Sequence, residues 1–292
     1  MTGRALARAD TPAAADALCA RGRPLAGATD LLVHGLDGVR GELVDLTAIH
    51  DPRPPVERLA DGRVRVSATA PISAIARSPE PVPVALTDAI AQFASPQIRN
   101  RATLGGNIAN GSPAADLVPP LVVTDAVLGV RGADGRRSVP VGEMLAGPGR
   151  TTLRPGEWIE YADLAPVPHS GFRKLGYRRA LAVAVVSLAW SWSPGSPRSG
   201  TEPGGAVALH DVRLAAGAVA PTVVRCPRAE AALNTLDATC VDTAATAVHD
   251  DIAPIDDLRA SAWYRADALA GLVRELAPAA TRQLREGDTA QP

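Results

Sequence analysis

Residues Thr103 to Asn107 read TLGGN, two adjacent glycines between a threonine and an asparagine, and Asp116 follows in the continuation IANGSPAADLVPPL. Adjacent glycines permit positive φ and remove both Cβ atoms, so successive backbone N–H groups can turn toward an anion at contact distance. A pyrophosphate suits that geometry. The Thr103 hydroxyl and the Asn107 amide would be further donors, and the Asp116 carboxylate is placed to accept from ribose or ribityl hydroxyls. A second small-residue turn, AGATD from Ala26 to Asp30, repeats the pattern where a helix is expected to start, and a helix dipole also favours phosphate there. Two such turns could grip one diphosphate from both sides. Neither has the G-x-G-x-x-G or G-x-x-x-x-G-K-[ST] spacing, so the ordinary Rossmann and P-loop readings fail. A lone glycine pair is in itself more often a tight connector.

The elements that must carry these turns follow from the apolar periodicity. Residues Thr11 to Arg21 carry alanines and Leu18 at helical spacing and stop at Gly22 with Pro24 just beyond. PLAGATDLLVHGL gives a short strand, a turn at Gly27 to Thr29 and a helix from about Asp30, and Glu42 to Thr47 reads as a strand. Together these make a small β-turn-α-β unit. Proline-rich DPRPP, Asp51 to Pro55, separates it from a second subdomain that opens with the strand GRVRVSATAPI, with Val64, Val66 and Ala68 on one face. Val84 to Ala94 is helical in pattern with Leu86, Ile90 and Phe93 apolar, and Pro96 is expected to close it, leaving the glycine pair in a loop. LVVTDAVLGVRG and GEWIEYADLAP read as strands, and DGRR, Asp134 to Arg137, as a hairpin turn. This subdomain is expected to be mixed or antiparallel.

The apolar run ending at Trp192, a Gly/Pro/Ser-rich loop from Ser193 to Gly205 and the strand VALHDVRLAAGAV come next. RAEAALNTL and SAWYRADALAGLVRELAPAATRQL are helices able to cover one face of an antiparallel sheet. The expected class is α+β. Residues 1–170 form one domain, with subdomains of about 1–55 and 56–170, and residues 171–292 form a C-terminal antiparallel sheet flanked by helices.

Composition narrows the function. Lys plus Arg (30) nearly balances Asp plus Glu (31) over 292 residues, so no field attracts nucleic acid or an anionic membrane. The apolar run Ala180 to Trp190 falls short of the roughly 20 residues that span a bilayer. The N-terminus lacks a continuous apolar segment, and a cytoplasmic location is expected. Cys19, Cys226 and Cys240 include no C-x-x-C, and the five histidines show no ligand spacing, so no metal or iron–sulfur site is expected in this chain.

AGATDLLV, QFASPQIRNRATLGGNIANGSPAADLVPPL and FRKLGYRRALAVAVVSLA, taken in that order, closely resemble the FAD-binding medium subunit of the molybdenum hydroxylases, the xanthine dehydrogenase and carbon monoxide dehydrogenase group. VRLAAGAVAPTVVR and DLRASAWYRADAL resemble that subunit's C-terminal domain, so the likeness covers nearly the whole chain. It implies a first FAD loop of Arg23, Pro24, Leu25, Ala26, Gly27, Ala28, Thr29 and Asp30, and a second of Thr103, Gly105, Gly106 and Asn107. It extends to Ile98, Ala102, Ala109 and Asn110. Asp116 would hold the cofactor's polar chain, Phe93 and Ala94 would line the flavin pocket, and Trp158 or Ile159 would approach the isoalloxazine. Lys174 would stabilise the reduced flavin. Phe93 fits helix core equally well, and Lys174 with Arg178 and Arg179 fits a solvated basic edge.

Two departures from the family pattern stand out. Ala28 replaces a glycine common in relatives, and Leu181 and Ala182 are apolar where some relatives present a polar or aromatic residue to the flavin. The implied complex has an iron–sulfur small subunit and a large subunit with the molybdenum cofactor, passing electrons through FAD to NAD, oxygen or a quinone. A stand-alone flavoprotein oxidase or reductase would need its own base beside the flavin, and the sequence offers no candidate. A non-catalytic subunit that has lost FAD is conceivable from Ala28 but opposed by the intact TLGGN and Asp116.

Overall fold

The computed structural model describes residues 5–33, 35, 41–50, 52–178, 181–194, 209–233 and 238–276, and the structural statements below concern these. The chain divides into two compact units interleaved in sequence: residues 1–82, 93–112 and 125–166, and residues 83–92, 113–124 and 167–292.

The first unit holds two main sheets and a two-stranded ribbon, Leu145–Gly147 with Arg150–Thr151. Leu6–Arg8, Glu42–Asp45 and Gly22–Leu25 lie side by side, all parallel, with Glu42–Asp45 in the centre. The helix Pro12–Cys19, capped by the Thr11 hydroxyl accepting from Ala14 N–H, buries Ala15 and Cys19 in a small core with Ala9, Val44, Leu46 and Trp158. The second sheet is wholly antiparallel, in the order Val56–Arg58, Val64–Ser67, Trp158–Leu164, Val127–Gly132, Gly135–Pro140. The DGRR signal is a hairpin as expected, with Gly132 paired to Gly135. Val64, Val66 and Ala68 are buried together, as the alternation required.

Several local expectations are corrected. Residues 29–33 form turns rather than the start of a helix, and most of the stretch beyond, to residue 40, lies outside the described residues. Pro96 opens a helix instead of closing one: Ser95 caps Pro96–Arg99, and proline fits the first helical turn because its missing N–H has no partner there. The glycine pair sits inside a short helix, Leu104–Ala109, capped by Thr103. The first half of LVVTDAVLGVRG belongs to a helix, Val118–Val123, buried on every side, so it shows no amphipathic period to read.

The second unit is built on an antiparallel sheet ordered His169–Leu175, Val186–Pro194, Leu209–Gly217, Val224–Arg225. Val186, Leu188, Trp190 and Trp192 pack against Ala229, Val241, Ala244, Leu269 and Val273 from the helices Pro227–Ala232, Ala238–Ala247 and Ala262–Arg274. The expected extension of the last helix beyond residue 276, most of the loop from Ser193 to Gly205 and Arg179 lie outside the described residues.

In each unit one sheet glycine makes room for an aromatic ring directly across from it. Tyr161 pairs with Gly129, and Trp190 with Gly171. A Cβ on Gly171 would lie 2.3 Å from Trp190 Cζ2, and Trp190 is buried, so the indole cannot swing away. Gly171→Ala is therefore expected to cost about 1–3 kcal/mol as an overpacking change. Urea unfolding would measure it, and an unchanged midpoint would refute the fixed packing.

Candidate functional site

The glycine pair answers to two different demands. The Gly105 N–H donates to the Ala68 carbonyl at 2.8 Å, and a Cβ there would lie 2.9 Å from that oxygen. Gly105 thus lets the helix start press against the end of the Val64–Ser67 strand. Gly106 N–H donates to Thr103 Oγ1 at 3.0 Å, and Gly106 is exposed. Both amides are occupied, and neither residue has positive φ. This corrects the expectation that their N–H groups point at a ligand: the N-cap and the strand end claim them first. What Gly106 supplies is an open surface.

Gly27 joins the two turns. A Cβ on it would fall 2.0 Å from the Arg101 carbonyl oxygen and 2.9 Å from Ala102 Cα, so the first turn lies with bare backbone against the residues leading into Thr103. Ala28 follows at φ 60, a left-handed conformation that costs a residue with a Cβ about 1 kcal/mol or more. Ala28→Gly is expected to stabilise the first unit by up to about 1 kcal/mol, offset in part by glycine's larger unfolded-state entropy. A lower melting temperature would contradict the strain.

Two cavities flank the joined turns. One, of about 630 Å³, is walled by Cys19, Arg21, Leu46, Ala68, Thr69, Gly105, Trp158, Ile159 and the turn Leu153–Glu157. The other, of about 390 Å³, is walled by Leu25, Gly27, Ala28, Thr29, Asp30, Phe93, Ala102, Asn107, Asn110 and Gly149. Arg23, Pro24, Ala26, Thr103, Gly106 and Ala109 line both. The turns thus form a shared waist between two arms, the shape that an elongated ligand with a compact middle requires. On the wall of the second arm, Asn107 Oδ1 is buried without a partner among the described residues, an acceptor that protein interiors rarely leave unmatched. Burial, with the nearby Asp16 charge, pushes the Cys19 thiol up to about 11, so it stays protonated and serves as wall, not nucleophile.

Of the sequence-expected residues, Ala94 and Ile98 line neither cavity. Arg99 Nη1 donates to the carbonyls of Phe93 and Ala94 at 2.6 and 3.2 Å. Asp116 and Lys174 belong to the second unit and are brought together there. Lys174 Nζ donates to Asp116 Oδ2 at 2.7 Å, to the Gln92 carbonyl at 2.8 Å and to the Ala182 carbonyl at 3.1 Å. All three ammonium protons are taken, and Lys174 is no solvated edge. Burial raises the Asp116 carboxyl above its ordinary range, and the Lys174 charge pulls it back only in part.

The reading from sequence missed Arg21, Leu46, Ala68, Thr69 and the turn Leu153–Glu157. Of these, the Pro-Gly pair at Pro155 and Gly156 was the one legible sign of a turn, and Gly156 has φ 80. Glu157 fixes that turn: its oxygens accept from Arg137 at 2.8 and 2.7 Å and from Arg154 N–H at 2.7 Å. The Arg137 hydrogen bonds hold its carboxyl below the usual range. A lowered folded-state value means that the stabilisation is present above the ordinary glutamate value of about 4.3 and is lost as pH falls through the folded-state value. Glu157→Gln should thus lower stability at neutral pH by about 1 kcal/mol, modest because solvent reaches the pair. The gap from wild type should close in acid, and a gap constant with pH would refute it.

A shared waist of mostly small residues between two arms, one carrying an orphaned acceptor, is a shape suited to a dinucleotide. Residues 6–164 match the family described as the FAD binding domain in molybdopterin dehydrogenase, and residues 170–280 match the CO dehydrogenase flavoprotein C-terminal domain. The chain belongs to this family of FAD-binding molybdenum hydroxylase subunits, and its cofactor is FAD. It is 30% identical over 253 residues to the xanthine dehydrogenase FAD-binding subunit of Escherichia coli O157:H7, spanning 82% of each chain. Carbon monoxide dehydrogenase from Hydrogenophaga pseudoflava superposes with a TM-score of 0.81 at 27% identity, over 94% of this chain and 96% of that one. The fold is also that of quinoline 2-oxidoreductase from Pseudomonas putida 86, TM-score 0.83 at 22% identity, over 96% and 97% of the chains. Among the described residues no helix is long and apolar enough to cross a membrane.

Proposed function

We propose that this chain is the electron-transfer subunit of a cytoplasmic heterotrimer, with residues 1–170 as its FAD-binding domain and 171–292 as its C-terminal domain. Electrons would arrive from an iron–sulfur small subunit, after hydroxylation on a molybdenum-containing large subunit, and leave to NAD, oxygen or a quinone. The observation that carries this reading is the pair of cavities sharing Arg23, Pro24, Ala26, Thr103, Gly106 and Ala109. FAD, when bound, supplies the exchange between one-electron and two-electron carriers that such a chain requires.

The protein's part is positioning. Thr103, Gly106 and the small Ala26 and Ala109 leave room at the waist, Arg23 brings positive charge to it, and Asn107 offers an acceptor to the second arm. The apolar wall of Leu46, Ile159 and Trp158 excludes water from the first arm. The test is an absorption spectrum of the purified chain before and after reconstitution with FAD, with chromatography of the released cofactor. A flavin spectrum with released FAD is expected, and a folded chain that takes up no FAD would overturn the reading.

A further inference from the structure

The first cavity carries a charge pattern that its neighbours do not balance. Arg21, Arg23 and Arg154 all line it, and all three are exposed. Among the described residues none of their guanidinium groups makes a hydrogen bond or an ion pair. Among the described residues its one acidic lining residue, Glu157, has both oxygens occupied by Arg137 and by the Arg154 backbone, and the Arg154 charge adds only the smallest pull on it. Some arginines of the same unit are matched, Arg65 with Asp163, Arg131 with Asp16 and Glu160, Arg137 with Glu157, and others, such as Arg63 and Arg101, are not matched among the described residues; what sets Arg21, Arg23 and Arg154 apart is that they line one cavity together. The chain as a whole is nearly neutral, at a formal net charge of -1. At this mouth three arginines face a single carboxylate of the lining.

Only Arg23 reaches the waist that both cavities share; Arg21 and Arg154 line the first arm alone. If the proposed reading holds, the doubly charged diphosphate lies at the waist and the arms take the two uncharged nucleoside-like ends. Arg21 and Arg154 then face no anionic group of the ligand in the finished complex. Their charge does act on the approach. A cleft lined by one sign of charge focuses the field and raises association rates by roughly ten- to a thousandfold. Rim charges of this kind alter association and its salt dependence more than dissociation.

We propose that Arg21 and Arg154, together with Arg23, form a cationic rim that captures anionic dinucleotides, setting the rate at which FAD enters and leaving its bound contacts to the waist. The rim selects by charge: it speeds FAD and does nothing for uncharged riboflavin. The inference rests on the FAD reading above, and its test separates the two.

The full chain, freed of flavin, is mixed with FAD in a stopped-flow instrument at low and high ionic strength, for wild type and for Arg21→Gln/Arg154→Gln. Both side chains are exposed, so the fold survives, and circular dichroism checks it. Wild-type association should fall steeply with salt. The double variant should associate about tenfold more slowly at low ionic strength and converge with wild type near 1 M salt, where the Debye length is about 3 Å. Dissociation should change less than about twofold. Arg21→Lys/Arg154→Lys should restore the wild-type rate, because the charge acts and not the planar fork. Equal association rates for wild type and the Gln variant at low salt would overturn the rim, as would an effect confined to dissociation or a Lys variant as slow as Gln. A wild-type chain that binds no FAD under any condition would remove the functional reading, and the rim with it.

Discussion

A chain carrying Gly106→Val is expected to fold normally and to retain no FAD. Gly106 does not need glycine for its backbone: its φ lies outside the left-handed region, and a Cβ there would meet only Thr103 Oγ1, at 3.0 Å. Valine is a somewhat better helix former than glycine, so propensity in this six-residue helix does not count against the variant. The added branches project from an exposed residue that lines both cavities, at the place where the middle of a dinucleotide would lie. The neighbouring positions behave differently. Gly105→Ala would set a Cβ 2.9 Å from the Ala68 oxygen, and Gly27→Ala would set one 2.0 Å from that of Arg101. Both should lower the melting temperature before any question of ligand arises. Thermal melts with flavin occupancy after reconstitution distinguish the three. A folded Gly106→Val chain with full flavin occupancy would remove this waist from the binding site.

The contrast between Gly105 and Gly106 marks the limit of what could be read from residue types alone. TLGGN announced a place where side chains are unwelcome, and the joining of two such turns into one waist was legible in Ala26 to Asp30 and Thr103 to Asn107. The reason for each glycine was not. It depends on Ala68 and Arg101, which are distant in sequence and brought close by strand order. The same holds for the helix Val118–Val123: buried on all faces, it carries no period by which a helix differs from a strand. Pro96, expected to close a helix, opens one, and the signal was local: a serine cap with a proline in the first turn. Arg21 and Arg154 had no such signature. Their significance is that they line one cavity, and that meeting is a property of the folded chain.

Lys174→Met is expected to be among the most destabilising single changes in the second unit, by about 3–5 kcal/mol, because it strands a buried carboxylate. The two side chains are only 7% and 8% exposed, and Asp116 Oδ1 has no partner among the described residues even in the intact pair. Removing the ammonium also releases the carbonyl of Gln92 at the end of the helix Val84–Gln92, where a cation is favourably placed against the helix dipole, and the carbonyl of Ala182. One side chain thus ties a helix end, the strand His169–Leu175 and two loops. Asp116→Leu should be costly too, since it leaves the ammonium with carbonyl partners alone. The double variant Lys174→Met/Asp116→Leu should cost clearly less than the sum of the two singles, because replacing both members of a buried pair by apolar groups avoids an uncompensated charge. Denaturant unfolding of the four proteins measures this coupling. Additive losses would mean that the pair is not a unit. A Lys174→Met chain of wild-type stability that no longer holds FAD would show instead that this ammonium acts on the cofactor and not as an internal tie.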